Sequence, residues 1–220
     1  MQEPGFVTSS RTVYDRSAQH YVDNVGTAID PQFEAPLDRA VLDAFAEHVR
    51  ANGTGPVLDI GCGPGRVAAH LAARGVNVGG IDIAPAMIAA ARAAHPLLQF
   101  DVGEIAALPA DDGSMLAAVY WYSIITTPLS ELPRAWRELH RVLAPDGHAL
   151  IAFQAGDNEH VERENAYGSG ADLTLYRHNV SDVQQTLTSN GFSIHAEIVR
   201  QPELAHETTP QALLFVRRET

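Results

Sequence analysis

The chain has 220 residues and a net charge of −12, with 27 acidic against 15 basic side chains. That balance offers a polyanion no attraction, so no nucleic-acid partner is expected, and no apolar run approaches the ~20 residues of a membrane span, so none is expected there either. The length suits one domain with small additions; the single cysteine cannot close an internal disulfide and no secretory leader is visible, so a reducing cytoplasm is the expected setting.

Residues 1–10 are expected to be disordered or loosely docked. From Thr12 to Val25, apolar and aromatic residues (Val13, Tyr14, Ala18, Tyr21, Val22 and Val25) recur at near-helical spacing. Residues 26–36 hold two prolines and a glycine and read as a loop. We take residues 1–36 as a leading cap segment and residues 37–220 as the main domain. Leu37, Val41, Phe45 and Val49 mark an amphipathic helix, ended by Asn52-Gly53-Thr54-Gly55-Pro56.

Val57 to Ile60 then fits a buried parallel strand. Gly61-Cys62-Gly63-Pro64-Gly65 follows, and Arg66 to Ala73 reads as a helix. Strand, glycine turn and helix form a nucleotide-binding layout, because glycines reach φ > 0 and let a ligand approach main-chain N–H groups. The dinucleotide fingerprint, G-x-G-x-x-G, sets a pyrophosphate on the helix N-terminus. Here the spacing is G-x-G-x-G, and Asp59 just before the turn would repel a pyrophosphate but accept an ammonium or a sulfonium. S-adenosylmethionine fits: it has no phosphate, a cationic amino-acid end and an adenosine end. Cys62 reads as a small packing side chain rather than a nucleophile.

Val76 to Ile83 is the second strand and carries Asp82, seventeen residues after Gly65. A right-handed crossover lays it beside the first strand, with its tip on the same crevice. A carboxylate there can accept both hydroxyls of a ribose, or it can cap the helix Ala84–Ala93. Met87 on that helix is either a neighbour of the adenosine or a core contact. Leu97–Val102 is the third strand, followed by Gly103-Glu104-Ile105-Ala106-Ala107-Leu108-Pro109. Met115–Tyr122 is the fourth strand, leading into Ser123-Ile124-Ile125-Thr126-Thr127-Pro128. Leu129–Leu143 is a helix with Leu132, Trp136, Leu139 and Leu143 as its buried stripe. Pro145-Asp146-Gly147 turns the chain into the fifth strand, His148–Phe153. An irregular insertion near 154–178 is placed where a lid can form. A helix over Ser181–Ser189 and strands over Phe192–Arg200 and Gln211–Arg217 complete the chain.

The stretch from Val57 to Val67 resembles the cofactor loop of class I S-adenosylmethionine-dependent methyltransferases. The later segments fall in matching order, over roughly Leu37 to Arg217 and most specifically before Phe153. The resemblance implies an α/β, Rossmann-like, doubly wound seven-stranded sheet of order 3-2-1-4-5-7-6, strand 7 antiparallel, with helices on both faces. It implies cofactor contacts at Asp59, Gly61, Cys62, Gly63, Gly65 and Arg66, at Asp82, Ile83 and Met87, and at Trp121. It also makes Glu104 the acceptor of the adenine amino group and Ile105 the backbone donor to the ring. Glu104 stands where aspartate is commoner, and Asp101 is its rival. Leu116 replaces an aspartate usual in relatives, at the end of the strand far from the ligand. Tyr14 and Tyr21 are candidates to cap the site, or simply dock a terminal helix; Tyr122 and Tyr167 join them as candidate acceptor contacts.

The implied activity is transfer of the cofactor methyl to an O, N or C atom of a small molecule, leaving S-adenosylhomocysteine. The alternatives are an NAD(P)-dependent oxidoreductase and a non-catalytic module that keeps the cofactor. Alignment of nucleophile, methyl and sulfur is the main task, and exclusion of water prevents waste. A base is needed only for a nucleophile protonated near neutrality. His20, His160, Tyr122 and Tyr176 are the side chains weighed for that part; no catalytic residue and no metal-ligand set is assigned. Monomer and homodimer both stay open.

Overall fold

A computed structural model describes residues 4–220. Five parallel strands form the centre of the sheet: β1 (Val57–Ile60), β2 (Val78–Asp82), β3 (Phe100–Val102), β4 (Met115–Trp121) and β5 (Leu143–Gln154). A short hairpin, β6 (His160–Arg163) with β7 (Leu173–Tyr176), stands apart as its own two-stranded sheet. The last two strands, β8 (Phe192–Arg200) and β9 (Gln211–Arg218), close the edge. The order is β3-β2-β1-β4-β5-β9-β8, with β9 antiparallel to both neighbours. Once the hairpin is set aside, this is the expected 3-2-1-4-5-7-6 arrangement.

Helices α1 (Gly5–Val25), α2 (Pro36–Asn52), α3 (Arg66–Ala72), α4 (Pro85–Ala94), α5 (Leu132–Val142) and α6 (Val180–Thr188) surround the sheet. Strand alternation feeds two core layers. Val57, Ala117 and Val119 point to α2 and α3, against Leu42, Phe45 and Leu71. Leu58, Ala118 and Tyr120 point the other way, against Trp136 and Leu139 of α5 and Leu187 of α6. The Trp136 indole donates to Thr186 Oγ1 at 2.9 Å and ties α5 to α6. Among the described residues no helix is long and apolar enough to cross a membrane.

The structure corrects several boundaries. The first helix begins at Gly5, so residues 5–10 are helical rather than loose; residues 1–3 lie outside the described residues. Buried Val7 and a hydrogen bond from Ser10 Oγ to Phe6 O hold that first turn. The second strand starts at Val78 and the third at Phe100; Leu97, 97 % exposed, has no partner layer to face. Residues 129–131 form a 3₁₀ turn, and α5 starts only at Leu132. The Pro145-Asp146-Gly147 turn sits inside β5 as a bulge, where Met115 faces Leu143 and Ala117 faces His148. Asp146 takes φ 59° there.

Two ties place the additions over the strand tips. Asp15 Oδ1 on α1 accepts the Ala86 N–H at 2.7 Å, serving an amide in the first turn of α4. Arg200 at the end of β8 donates to Asp38 Oδ1 on α2 and to Glu207 Oε2, both at 2.8 Å, all three side chains being buried.

Candidate active site

The C-terminal tips of β1, β2 and β4 open on one cavity of ≈ 450 Å³. The glycine turn forms its floor. Gly61, Gly63 and Gly65 all take positive φ (75°, 52° and 84°). Gly61 is glycine because Ser123 crosses directly above it: a Cβ added there would lie 2.3 Å from Ser123 Cβ. Gly63 faces open space, where an added Cβ meets nothing within 4 Å. Gly65 departs from expectation. It does not line the cavity; it turns toward Phe100 and His95 and acts as the left-handed N-cap of α3.

Asp59 lines the cavity but is 1 % exposed, and its Oδ2 accepts the Ala68 N–H at 3.0 Å. Burial pushes its carboxyl up to about 7, the Ala68 bond opposing and the charge of Asp82 adding. Its negative charge toward a ligand is therefore smaller at neutral pH than the sequence suggests. Asp82 serves both backbone segments at once: Oδ1 accepts the Ala84 N–H and Oδ2 the Gly63 N–H, each at 2.9 Å. Ala84 is the N-cap residue of α4, so this bond meets the cap residue itself and not a first-turn amide of the helix. Burial raises its carboxyl, against the hydrogen bonds from Ala84, Gly63 and Ile83. Each carboxylate oxygen has a second lone pair, so the clamp leaves acceptor capacity facing the cavity.

Cys62, Arg66, Ile83, Met87, Glu104, Ile105 and Trp121 also line the cavity. Burial raises the Cys62 thiol, with the charges of Asp59 and Asp82 adding, which suits the packing reading. Arg66 is committed to the protein: its Nη2 reaches Glu34 at 2.6 Å and its Nε donates to Ala28 O at 3.0 Å, fastening residues 26–36 to the turn. Asp101 pairs with Arg92 at 3.0 Å and does not line the cavity, which leaves Glu104 as the acid facing it from this segment.

The cover is aromatic. Tyr14 and Tyr21 on α1 each place a ring 5.8 Å from Tyr167, which sits between β6 and β7. Tyr167 takes φ 51° and its neighbour Asn165 φ 43°. All three tyrosines line the cavity, as does Tyr122, which follows β4 at φ 57°. Of the four side chains weighed as a base, only Tyr122 reaches the cavity, and burial keeps its hydroxyl protonated at neutral pH. His20 and His160 are exposed, and Tyr176 stacks on His178 outside the cavity.

Several lining residues carry no sequence signal: Phe6, Arg134, Arg163, His206 and Glu207 reach the cavity from four separate segments. Gln154 and Gln211 are different. They pair in register at the open end of β5 and β9, and a strand-end position at the ligand edge is a readable cue.

Whether these residues suit S-adenosylmethionine is tested by what they leave unsatisfied. Trp121 Nε1 and Ser123 Oγ are buried on cavity-lining residues without a hydrogen-bond partner. A buried polar atom without a partner is costly, and these two sit on residues of the cavity wall. With Gly63 open, and with Asp82 and Glu104 supplying acceptors for hydroxyls and an amine, the set fits an amino-acid nucleoside.

Sheet order, glycine turn and strand-end acids together define a class I S-adenosylmethionine-dependent methyltransferase. Residues 57–147 match the family described as methyltransferase domain. The chain is 31 % identical over 147 residues to malonyl-[acyl-carrier protein] O-methyltransferase of Erwinia billingiae, covering 67 % of this chain and 54 % of that protein. The chain thus spans about half the length of such curated relatives. Among solved structures, magnesium protoporphyrin IX methyltransferase from Synechocystis PCC 6803 with bound SAM shares the fold over all of both chains, at TM-score 0.68 and 19 % identity. The [4+2]-cyclase SpnF shares it at TM-score 0.71 and 19 % identity, over 97 % of this chain and 95 % of that one.

Proposed function

We propose that the chain transfers the methyl group of S-adenosylmethionine to a small molecule bound beneath α1 and the β6–β7 hairpin. The observation that carries this reading is the convergence, on one cavity, of the open Gly63 backbone, the Asp82 and Glu104 carboxylates and two unpartnered buried donors. When bound, the cofactor supplies a methyl group already activated on a sulfonium. Asp82 would accept the ribose hydroxyls, Glu104 the adenine amino group, and the Ile105 N–H would donate to the ring. Ile83 and Met87 would flank the adenosine. Trp121 and Ser123 would donate to acceptor atoms near the amino-acid end.

The remaining work is orientation and dryness. Holding a nucleophile in line is worth several kcal/mol of the barrier, and the tyrosine cover excludes water from that line. In this reading residues 1–36 and 154–178 act as cap and lid, and Tyr14, Tyr21, Tyr122 and Tyr167 surround the acceptor. Asp82 already takes the Gly63 N–H that a pyrophosphate would use, so the oxidoreductase alternative predicts NAD(H) binding where this one predicts none.

Calorimetric titration tests the proposal. S-adenosylhomocysteine is expected to bind and NADH not to. Asp82→Ala is expected to weaken the former at least about tenfold, the size of one lost charge-assisted hydrogen bond. Undiminished affinity in that variant would remove the ribose assignment. Binding without transfer of labelled methyl to any of a panel of acids, phenols and amines would favour the non-catalytic alternative.

A further inference from the structure

We infer that His206 is the general base of the reaction and takes its proton from a hydroxyl acceptor of phenol or enol type; this rests on the methyl-transfer reading above. The cavity runs along the strand tips. Asp59 and Asp82 lie at the ends of β1 and β2, and Glu104 follows β3. Gln154 and Gln211, at the open end of β5 and β9, line the same cavity, as do His206 and Glu207 from the β8–β9 connection. In the sheet order β4 stands between the two groups. With the adenosine on Asp82 and Glu104, the acceptor takes the β5–β9 end, where His206 is.

The backbone that carries the imidazole is pinned. Glu207 donates its N–H to Leu204 O at 3.0 Å, and its carboxylate accepts the Glu203 N–H and Arg200 Nη1, each at 2.8 Å. One residue further, Thr208 Oγ1 accepts from Arg177 Nη2 at 2.8 Å. The ring itself rests on Phe33, 5.7 Å between centroids, and among the described residues neither ring nitrogen has a hydrogen-bond or ion-pair partner. It is exposed, so a proton it takes can pass on to water. The other lining acids suit the part less. Glu34, Glu131 and Glu207 each face an arginine, which makes a carboxylate a poor base. Asp59, Asp82 and Glu104 have no arginine but belong to the adenosine end, and Asp59 and Asp82 already accept backbone N–H groups there.

A histidine matters most to a hydroxyl. A neutral amine offers its lone pair before it loses a proton, and a carboxylate has none to lose at neutrality; a phenol or enol is a weak nucleophile until its proton leaves. Imidazole exchanges protons near neutral pH. Its bare nitrogen takes the O–H proton, the oxygen forms the new O–C bond, and the S–C bond breaks with its electron pair on sulfur. A methyl ether and an imidazolium result, and the charge brought by the sulfonium leaves as one proton per methyl. Phe33 beside the imidazole and Tyr122 after β4 add aromatic faces that suit a flat ring.

The test uses the full chain saturated with S-adenosylhomocysteine, titrated with para-nitrophenol, hydroxycoumarin and naphthol, each beside its methyl ether. At least one hydroxyl compound is expected to bind, and its phenolate absorption to rise above that of the free compound at the same pH. His206→Gln should abolish that rise while leaving S-adenosylhomocysteine affinity within about twofold, because the residue lies away from the adenosine end. In weakly buffered turnover with labelled S-adenosylmethionine, one proton should appear per methyl transferred. Turnover should fall about 100-fold in His206→Gln, and added imidazole should restore part of the rate in His206→Ala. A phenol bound with no gain in phenolate, an undiminished rate in His206→Gln, or a slow His206→Ala chain that imidazole leaves slow overturns His206 as the base. Binding of none of the three hydroxyl compounds overturns the acceptor class. Failure of the parent chain to bind S-adenosylhomocysteine overturns instead the reading beneath both.

Discussion

Replacing Gly61 by alanine tests the packing on which the cavity floor depends. The added methyl carbon would stand 2.3 Å from Ser123 Cβ, so one of the two chain segments must move by about an ångström to reach ordinary contact. Overpacking of that kind costs about 1–3 kcal/mol. A non-glycine residue at φ 75° adds about 1–2 kcal/mol. The expected destabilisation of Gly61→Ala is therefore about 2–5 kcal/mol, read from the urea midpoint at unchanged slope. Ser123→Gly in the same chain removes the opposing carbon and should return only the overpacking part, a coupling of about 1–3 kcal/mol in a double-mutant cycle. The backbone part should remain. S-adenosylhomocysteine affinity should fall with Gly61→Ala, because the shift carries the turn with it. A cycle with no coupling, or a Gly61→Ala chain as stable as its parent, would refute the claim that Ser123 dictates glycine here.

Arg200→Leu leaves the buried Asp38 and Glu207 carboxylates facing each other without their cation, and stability should drop by about 3–5 kcal/mol in denaturant titration. Tyr167→Ala removes two ring contacts, each worth about 0.5–1.5 kcal/mol, so amide exchange of α1 should quicken while the sheet stays protected. Burial, followed by His48, His195 and Arg217, holds His148 down at about 4, with Asp146 opposing. Its unfolded value is about 6.5, so the unfolded chain takes the proton first as pH falls. The stability linked to His148 is full above about pH 6.5 and is lost on going down toward pH 4; allowing for screening at this half-buried site, the loss is about 1–2 kcal/mol. His148→Gln should flatten the wild-type slope across that window in thermal melts.

The sheet and its ligand edge were readable because their signals are local. Val57–Ile60 is apolar and short, the glycines sit where the backbone must turn left-handed, and Asp82 follows at the length of one helix and one strand. The core faces of α2 and α5 were readable for the same reason, from residues three and four apart. What escaped depends on contacts across long stretches of chain. Nothing near Gly5 or Ser9 announces a helix; distant chain holds it, with Ser9 Oγ donating to Asp172 O and Ala18 packing with Met87. Arg66 looks like a ligand contact until Glu34 is found beside it. Gly65 looks like its two neighbours until Phe100 is seen to occupy the space where its side chain would go. Arg134, Arg163 and His206 have no spacing to betray them, since three unrelated segments bring them to the cavity.

Tyr167 meets Tyr14 and Tyr21 across more than 140 residues of intervening chain. The two pieces that roof the chamber, α1 and the β6–β7 hairpin, contribute no strand to the seven-stranded sheet whose tips form its base. On the proposed function, exchange of those two pieces alone would retarget the enzyme, with the sheet underneath left as it stands.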